Sequence, residues 1–472
     1  MSAPLAPALD PIQAALVGQR LAGAAREMRG VLRRRAAGRP LAGGDCGAGV
    51  LDRQGRLVAY AGPVAHLPPL RASARALLAR LGADLRPGDV LATNDPYGGG
   101  TTVSCMTLLA PAVGEGELCV AVRGRHADAG GAAPGGVYVA AYEIYQEGDR
   151  LPPIRLARDG RPAPDIWKRL VKNNRLPQVY ELDLAAMLAA LGWGADALGA
   201  LQARLEGATL SRAVEQTLTA GERAFRRAVS GWPSGTYRGD SDAIGDLHGG
   251  GDRAVRVALT VGAEGLTIDL AGTSLQAAGC LNLPPAGALA AALGPLLALA
   301  GPDLAADEGF LRAVRFEAPP GTLVNPTFPA ATGLGPTLVG ALVEQAVSRA
   351  LDQCLPGQAP VVPGPAPFVR LLRHADNAVR ASGRTPVAGL PFATFYTGAS
   401  WLELAGPTAP GLPSAEVAEQ EWGVRVWERG QRLVLEALEA GTVLSGAGPD
   451  GRAVELDEVE RGARLRVTSE GW

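Results

Sequence analysis

Between Gly88 and Pro153 the chain sets carboxylates, a histidine and two cysteines among glycine-rich turns, which is how a site carried on strand ends looks. His126 and Asp128 form an H-x-D pair in the glycine-flanked run RGRHADAGG. Such a pair can act as a base oriented by a carboxylate, and in ordinary loops the Asp simply orders the ring. Cys105 could be a nucleophile, but no clear base stands beside it in sequence, and buried inert cysteines are common. Asn94-Asp95-Pro96 reads as an Asx-turn that closes a strand and shapes a pocket. Gly98, Gly99 and Gly100 could turn backbone N–H groups toward an anion, or only permit unusual φ values. No G-K-[ST] follows them, so they are not a P-loop. Glu143, Tyr145, Gln146 and Glu147 form a polar cluster before Pro152-Pro153 and read as hydrogen-bond braces. His66, His248 and His374 stand alone and receive no role.

The elements that must position these residues are legible in part. Asp10-Pro11 reads as an N-cap with proline at the first helical position. The helix it opens places Leu21, Ala25, Met28 and Leu32 on one face, and Gly38-Arg39-Pro40 ends it. Asp45 then stands before a hairpin over Val50–Ala61, with Asp52-Arg53-Gln54-Gly55 as its turn. A helix over Ala72–Leu81 leads into strands at Asp89–Ala92, Met106–Ala110 and Leu118–Arg123. Residues 166–230 are helical in pattern. Val255, Val257, Leu259 and Val261 alternate, and Leu266, Ile268 and Leu270 alternate back, which predicts a second hairpin. Pro336 opens an amphipathic helix with Leu338, Leu342, Ala346 and Ala350 on one stripe. Residues 356–367 read as a linker.

These patterns predict a mixed α/β (α+β), multi-domain chain. The expected divisions are an N-terminal α/β block over 1–160, a helical segment over 161–235, a hairpin-plus-helices block over 236–357, and a C-terminal region over 358–472. With 472 residues, 47% of them hydrophobic, the chain can bury a large core. A net charge of −2 points to neither a nucleic-acid nor a membrane surface. The longest uncharged apolar run, near Ala286–Gly301, contains Pro295 and is short for a bilayer. No secretory signal is read at the N-terminus, and the five scattered cysteines form no CxxC pair. A cytoplasmic protein with free thiols is expected.

Several blocks taken in order resemble the hydantoinase B/oxoprolinase family. They are Asp45 with LDRQGRLVA, GDVLATNDPYGGGT, HADAGG, EIYQEGDRLPPIRL, PSGTYRG, LTIDLAGTS and APPGTLVNPTFPAA. The resemblance implies a B-type subunit of an ATP-dependent hydantoinase, oxoprolinase or lactamase, with relatives among acetone and acetophenone carboxylases. An A-type partner would bind ATP and phosphorylate the carbonyl oxygen of a cyclic amide. The B-type chain would carry a divalent metal, Zn or Mn, that activates water. A hetero-oligomer follows, with a second B-type paralogue as a possible member.

The same resemblance implies ligands at an Asp before the first hairpin, at the His and Asp of a GGTHLPD block, and at the first His of an HHAD block. Asp45 matches the first. Thr102, Cys105 and Arg125 stand at the other three. Arg cannot ligate a metal and would repel one. Asp45, His126 and Asp128 remain as candidate catalytic donors, Asp45 and His126 as candidate metal ligands. Asn94, Asp95, Gly99, Thr102, Cys105, Arg125 and Glu143 are candidate pocket residues. The guanidinium of Arg125 is expected to take the old metal position and pair with Asp45. Two readings follow: an enzyme subunit with altered metal chemistry, or a non-catalytic member that scaffolds an active complex. The C-terminal region is expected to be a shortened, diverged form of the family's β-rich end.

Overall fold

The computed structural model describes residues 10–362, apart from 114–117, 139, 206, 247, 249, 302, 303 and 306, and beyond 362 only the backbones of strands. Two sheets and a set of long helices dominate. The central sheet has seven strands in the order β2-β1-β5-β4-β3-β6-β7, all antiparallel to their neighbours. They are β1 (Cys46–Asp52), β2 (Leu57–Ala61), β3 (Val90–Thr93), β4 (Cys105–Pro111), β5 (Leu118–Arg125), β6 (Ile154–Arg158) and β7 (Arg161–Pro162).

Both faces of this sheet are covered, which is why its inner strands read as near-continuous apolar runs. Alternate residues of each strand go to different cores. Val50, Val58, Leu108, Val120 and Val122 pack with Leu21, Met28, Leu184 and Met187. Those partners lie on α1 (Pro11–Arg35) and on α5 (Pro177–Gln202). Leu51, Leu57, Leu109, Cys119 and Ala121 instead join Leu70, Leu77, Leu293 and Leu342. These come from α3 (Leu67–Leu81), α7 (Pro285–Ala300) and α9 (Gly340–Cys354). Residues of the expected 1–160 and 236–357 blocks thus share one core.

Several expectations appear as drawn. Asp10 accepts from the Ile12 amide at 3.0 Å and Pro11 opens α1. The first hairpin turns through Asp52–Gly55, with Gly55 at φ 72°. The second is formed by β11 (Arg256–Gly262) and β12 (Gly265–Asp269). They sit in a four-stranded sheet with β8 (Gly235–Asp240) and β13 (Val314–Glu317), while β9 (Ile244–Gly245) and β10 (Asp252–Arg253) pair alone. Leu338, Leu342, Ala346 and Ala350 are all buried.

Boundaries differ in three places. Arg39-Pro40 does not merely stop α1: it starts the short α2 (Arg39–Gly43), because proline suits a first helical turn. For the same reason α3 begins at Leu67, five residues before Ala72, with Pro68 and Pro69 in its first turn. Residues 335–339 form a π-helical turn, so the α-helix proper starts at Gly340.

Helices α4 (Pro164–Lys172), α5 and α6 (Gly207–Val229) fill the segment read as helical. By length and composition α5 could cross a membrane, yet half of its most apolar stretch is buried inside this fold. It packs against α1 and against β4 and β5. The short α8 (Glu308–Arg312) is clamped onto α3. Glu308, nearly buried, accepts from Arg71 and Arg75, and Phe310 meets Phe225 of α6 edge-on at 4.8 Å. Beyond 362 the backbone forms hairpins such as Phe392–Thr397 with Ser400–Ala405 and Val424–Arg429 with Arg432–Ala437. His374 and most of the expected linker lie outside the described residues.

Candidate functional site

The register of the central sheet builds the site. Cys46 of β1 pairs with Gly124 of β5, and Arg125 of β5 pairs with Cys105 of β4. The ends of three neighbouring strands therefore bring Asp45, Arg125 and Cys105 together. Asp45 is fixed just ahead of β1: its amide donates to the Pro40 carbonyl at 2.9 Å, and its carbonyl accepts from the Arg125 amide at 3.1 Å. Gly44 makes the approach at φ 103°, a left-handed value that glycine adopts without strain.

Asp45, Thr102, Ser104, Cys105 and Arg125 line one cavity of about 100 Å³. Its far wall is α7 and the segment from Gly333 to Gly340, and Glu344 also reaches it. The Arg125 Nε lies 2.7 Å from Asp45 Oδ2. The other oxygen, Oδ1, lies 2.6 Å from Nε2 of His66. His66 ends a 3-10 turn that follows β2 and opens α3, and α7 packs on that turn.

Burial alone would raise the Asp45 pKa, but Arg125 and His66 together hold it well below the usual carboxylate range. Burial pushes His66 down from its ordinary value, against the pull of Asp45, and keeps the imidazole neutral near neutral pH. The neutral ring then donates Nε2–H to Asp45. Its Nδ1 is buried and makes no hydrogen bond within the protein. Behind the cavity Arg123 is 1% exposed. It donates to Thr101 Oγ1 at 2.8 Å and Thr107 Oγ1 at 3.1 Å. Burial lowers its pKa, while Asp45 is among the charges that support it.

The remaining sequence candidates lie elsewhere. His126 follows Arg125 by one residue, and that step turns it to the opposite face of the sheet. There its ring tilts against Tyr180 of α5 at 4.5 Å, with Nδ1 3.5 Å from Asp183. It lines a separate small cavity with Asn94, Asp128 and Asn174. Asp128 accepts from the amides of Gly130, Gly135 and Arg175 at 2.9–3.1 Å and orders its loop. The structure therefore does not bring His126 or Asp128 to Asp45.

Asn94 donates to the Val103 and Asp149 carbonyls and accepts from the Leu151 amide, which ties the strand ends together. Asp95 accepts from the Tyr97 amide in an Asx-turn and pairs with Arg150 at 2.7 Å. Gly99, at φ 100°, presses on the α3 backbone at Ala72 and Ser73. Glu143 forms a reciprocal cap with Gln146.

One contributor to the cavity escaped sequence reasoning: His66 carries no local motif, and only the pairing of β2 with β1 could have pointed to it. Glu147, in the cluster expected to brace, is buried and accepts from the amides of Thr332 and Gly333, the latter a cavity residue. Burial raises its pKa to about 8, opposed by those hydrogen bonds.

A divalent ion does not fit this donor set. Both Asp45 oxygens are engaged, Thr102 is a poor ligand, and Arg125 is a cation. Among the described residues no group of three His, Cys, Asp or Glu side chains could hold a metal ion.

Strand ends that present a cavity walled by α7 and the segment from Gly333 to Gly340 form the candidate site of a mixed α/β scaffold. The model of the hydantoinase B/oxoprolinase family matches residues 10–434, and the chain belongs to that family. It is 27% identical over 373 residues to 5-oxoprolinase 1 of Arabidopsis thaliana, covering 73% of this chain and 29% of that protein. It is 26% identical over 312 residues to caprolactamase subunit beta of Pseudomonas jessenii, covering 66% and 54%. The crystal structure of the ATP-dependent caprolactamase from Pseudomonas jessenii shares the fold, with a TM-score of 0.77 at 20% identity over 97% of this chain and 88% of that one. The chain spans between about a quarter and just over half of the length of the curated relatives it matches.

Proposed function

We propose that the chain is the B-type subunit of a cytoplasmic, ATP-dependent assembly acting on a cyclic amide, with ATP handled by an A-type partner subunit. The observation that carries this reading is the cavity at the ends of β1, β4 and β5, which gathers Asp45, Thr102, Ser104 and Arg125 although its donor set has changed. In this reading Arg125 donates to an oxygen of the substrate, Asp45 fixes the guanidinium, and the Thr102 and Ser104 hydroxyls complete the polar wall. The family membership and the subunit name of the caprolactamase relative support the partner. The test is co-purification with an adjacent A-type gene product, followed by ATP-dependent ring opening of hydantoin, 5-oxoproline and caprolactam. Turnover that Asp45→Ala removes, with the complex still assembled, is the expected result.

The replaced donor set favours one other reading, a non-catalytic subunit that stabilises an active A/B complex, with a second B-type paralogue doing the chemistry. Turnover in the assembled complex that survives Asp45→Ala and Arg125→Ala unchanged would select it.

A further inference from the structure

We infer that the cavity is a cation site whose cation is built into the chain, with the Arg125 guanidinium standing where a divalent ion would otherwise bind. The inference rests on the family reading for what such a site would hold, and on this structure for what holds it now. Asp45 is the carboxylate that these strand ends give to the cavity, with Glu344 entering from α9, and it meets a guanidinium on one oxygen and a neutral imidazole on the other. Its single negative charge is matched by Arg125. A divalent ion entering beside it would have to displace the guanidinium from Asp45 and would meet its positive charge, with the buried Arg123 behind.

Strand alternation makes the replacement specific. Asp45, Cys105 and Arg125 point to one face, and Thr102 reaches the same cavity from the turn before β4. Four positions converge, but only one still carries a ligating carboxylate. His66 is then a positioning residue: it holds Asp45 from the side away from Arg125, and Asp45 in turn aims the guanidinium. The groups facing this cluster are Arg123 and Arg125 from β5, Cys105 from β4 and Glu344 from α9.

The consequence is chemical. A guanidinium polarises an oxygen by hydrogen bonding but cannot ionise a bound water as a metal does. The site is therefore built to hold and orient a ligand oxygen, independently of divalent metal.

The experiment uses the full chain, incubated with Zn²⁺ or Mn²⁺, desalted, and measured by elemental analysis and thermal unfolding. The wild type is expected to retain no stoichiometric metal and to show no metal-dependent Tm. The variant Thr102→His, Cys105→Asp, Arg125→His is expected to gain about one ion per chain, and to lose it again on adding Asp45→Asn. Stoichiometric metal in the wild type that Asp45→Asn removes would overturn the inference. So would a folded triple variant that binds none. Should the triple variant not fold, Arg125→Ala serves instead. Methylguanidinium is expected to raise its Tm more than that of the wild type, and equal shifts would overturn the inference. These readouts need no turnover, so failure here leaves the subunit reading standing, and absent turnover leaves the metal result intact.

Discussion

Arg125 Nε sits 2.7 Å from Asp45 Oδ2, joining residues eighty positions apart across the pairing of β1 with β5. On the far side of the same carboxylate stands His66. The Asp45 side chain is 25% exposed, so its two partners supply most of what water would otherwise give it.

Removing His66 therefore exposes a specific weakness. His66→Ala is expected to cost about 1–3 kcal/mol of stability through the lost charge-assisted hydrogen bond. His66→Gln, which keeps a donor, should recover part of it. Denaturant melts of the two variants check this, and equal losses would contradict the hydrogen-bond account.

The opposite face of the sheet gives a control. His126 packs on Tyr180 rather than at the Asp45 cavity. His126→Ala is expected to lower stability by about 1–3 kcal/mol through lost packing, while leaving A-type partner association and ring opening per folded complex unchanged. Selective loss of turnover with unaltered stability would place His126 back in the site.

Glu147 predicts a pH dependence. Its pKa is raised by burial from 4.5 to about 8 in the folded chain. Between those values the unfolded chain is ionised while the folded chain keeps its proton, so stability falls as pH rises. The slope from this one group is about 1.4 kcal/mol per pH unit, vanishing once both states are protonated. Glu147→Gln, neutral in both states, should flatten the profile. Identical slopes for wild type and variant between about pH 5 and 8 would refute the assignment.

Gly99 has no room for a side chain. A Cβ there would stand 2.6 Å from the Ala72 backbone carbon, at φ 100°. Gly99→Ala is expected to destabilise by about 1–3 kcal/mol and to disturb the turn that leads to Thr101 and Thr102. A melt within error of the wild type would show that the turn and α3 move apart freely.

The clamp on α3 can be tested as well. Glu308 is 6% exposed and pairs with both Arg71 and Arg75. Glu308→Gln is expected to cost about 2–4 kcal/mol, since it leaves half-buried guanidinium groups short of a counter-charge. The salt sensitivity of unfolding should fall with it.

Much of the scaffold was legible from local pattern. Apolar alternation marked both hairpins, Asp10-Pro11 marked the start of α1, and Leu338 to Ala350 marked the core stripe of α9 and of the turn that leads into it. The ordered blocks from Asp45 to the PTFPAA run marked the family. The resemblance also implied that Thr102, Cys105 and Arg125 stand where the family pattern places metal ligands. It could not say which histidine accompanies Asp45. His126 neighbours Arg125 in sequence yet faces the other core, while His66, with no motif, reaches the carboxylate. Only tertiary structure decided this, because side chains on a strand alternate between faces and the pairing of distant strands is set by the burial of both faces together. Residue types fix what chemistry is available, and strand order and register decide which of them meet.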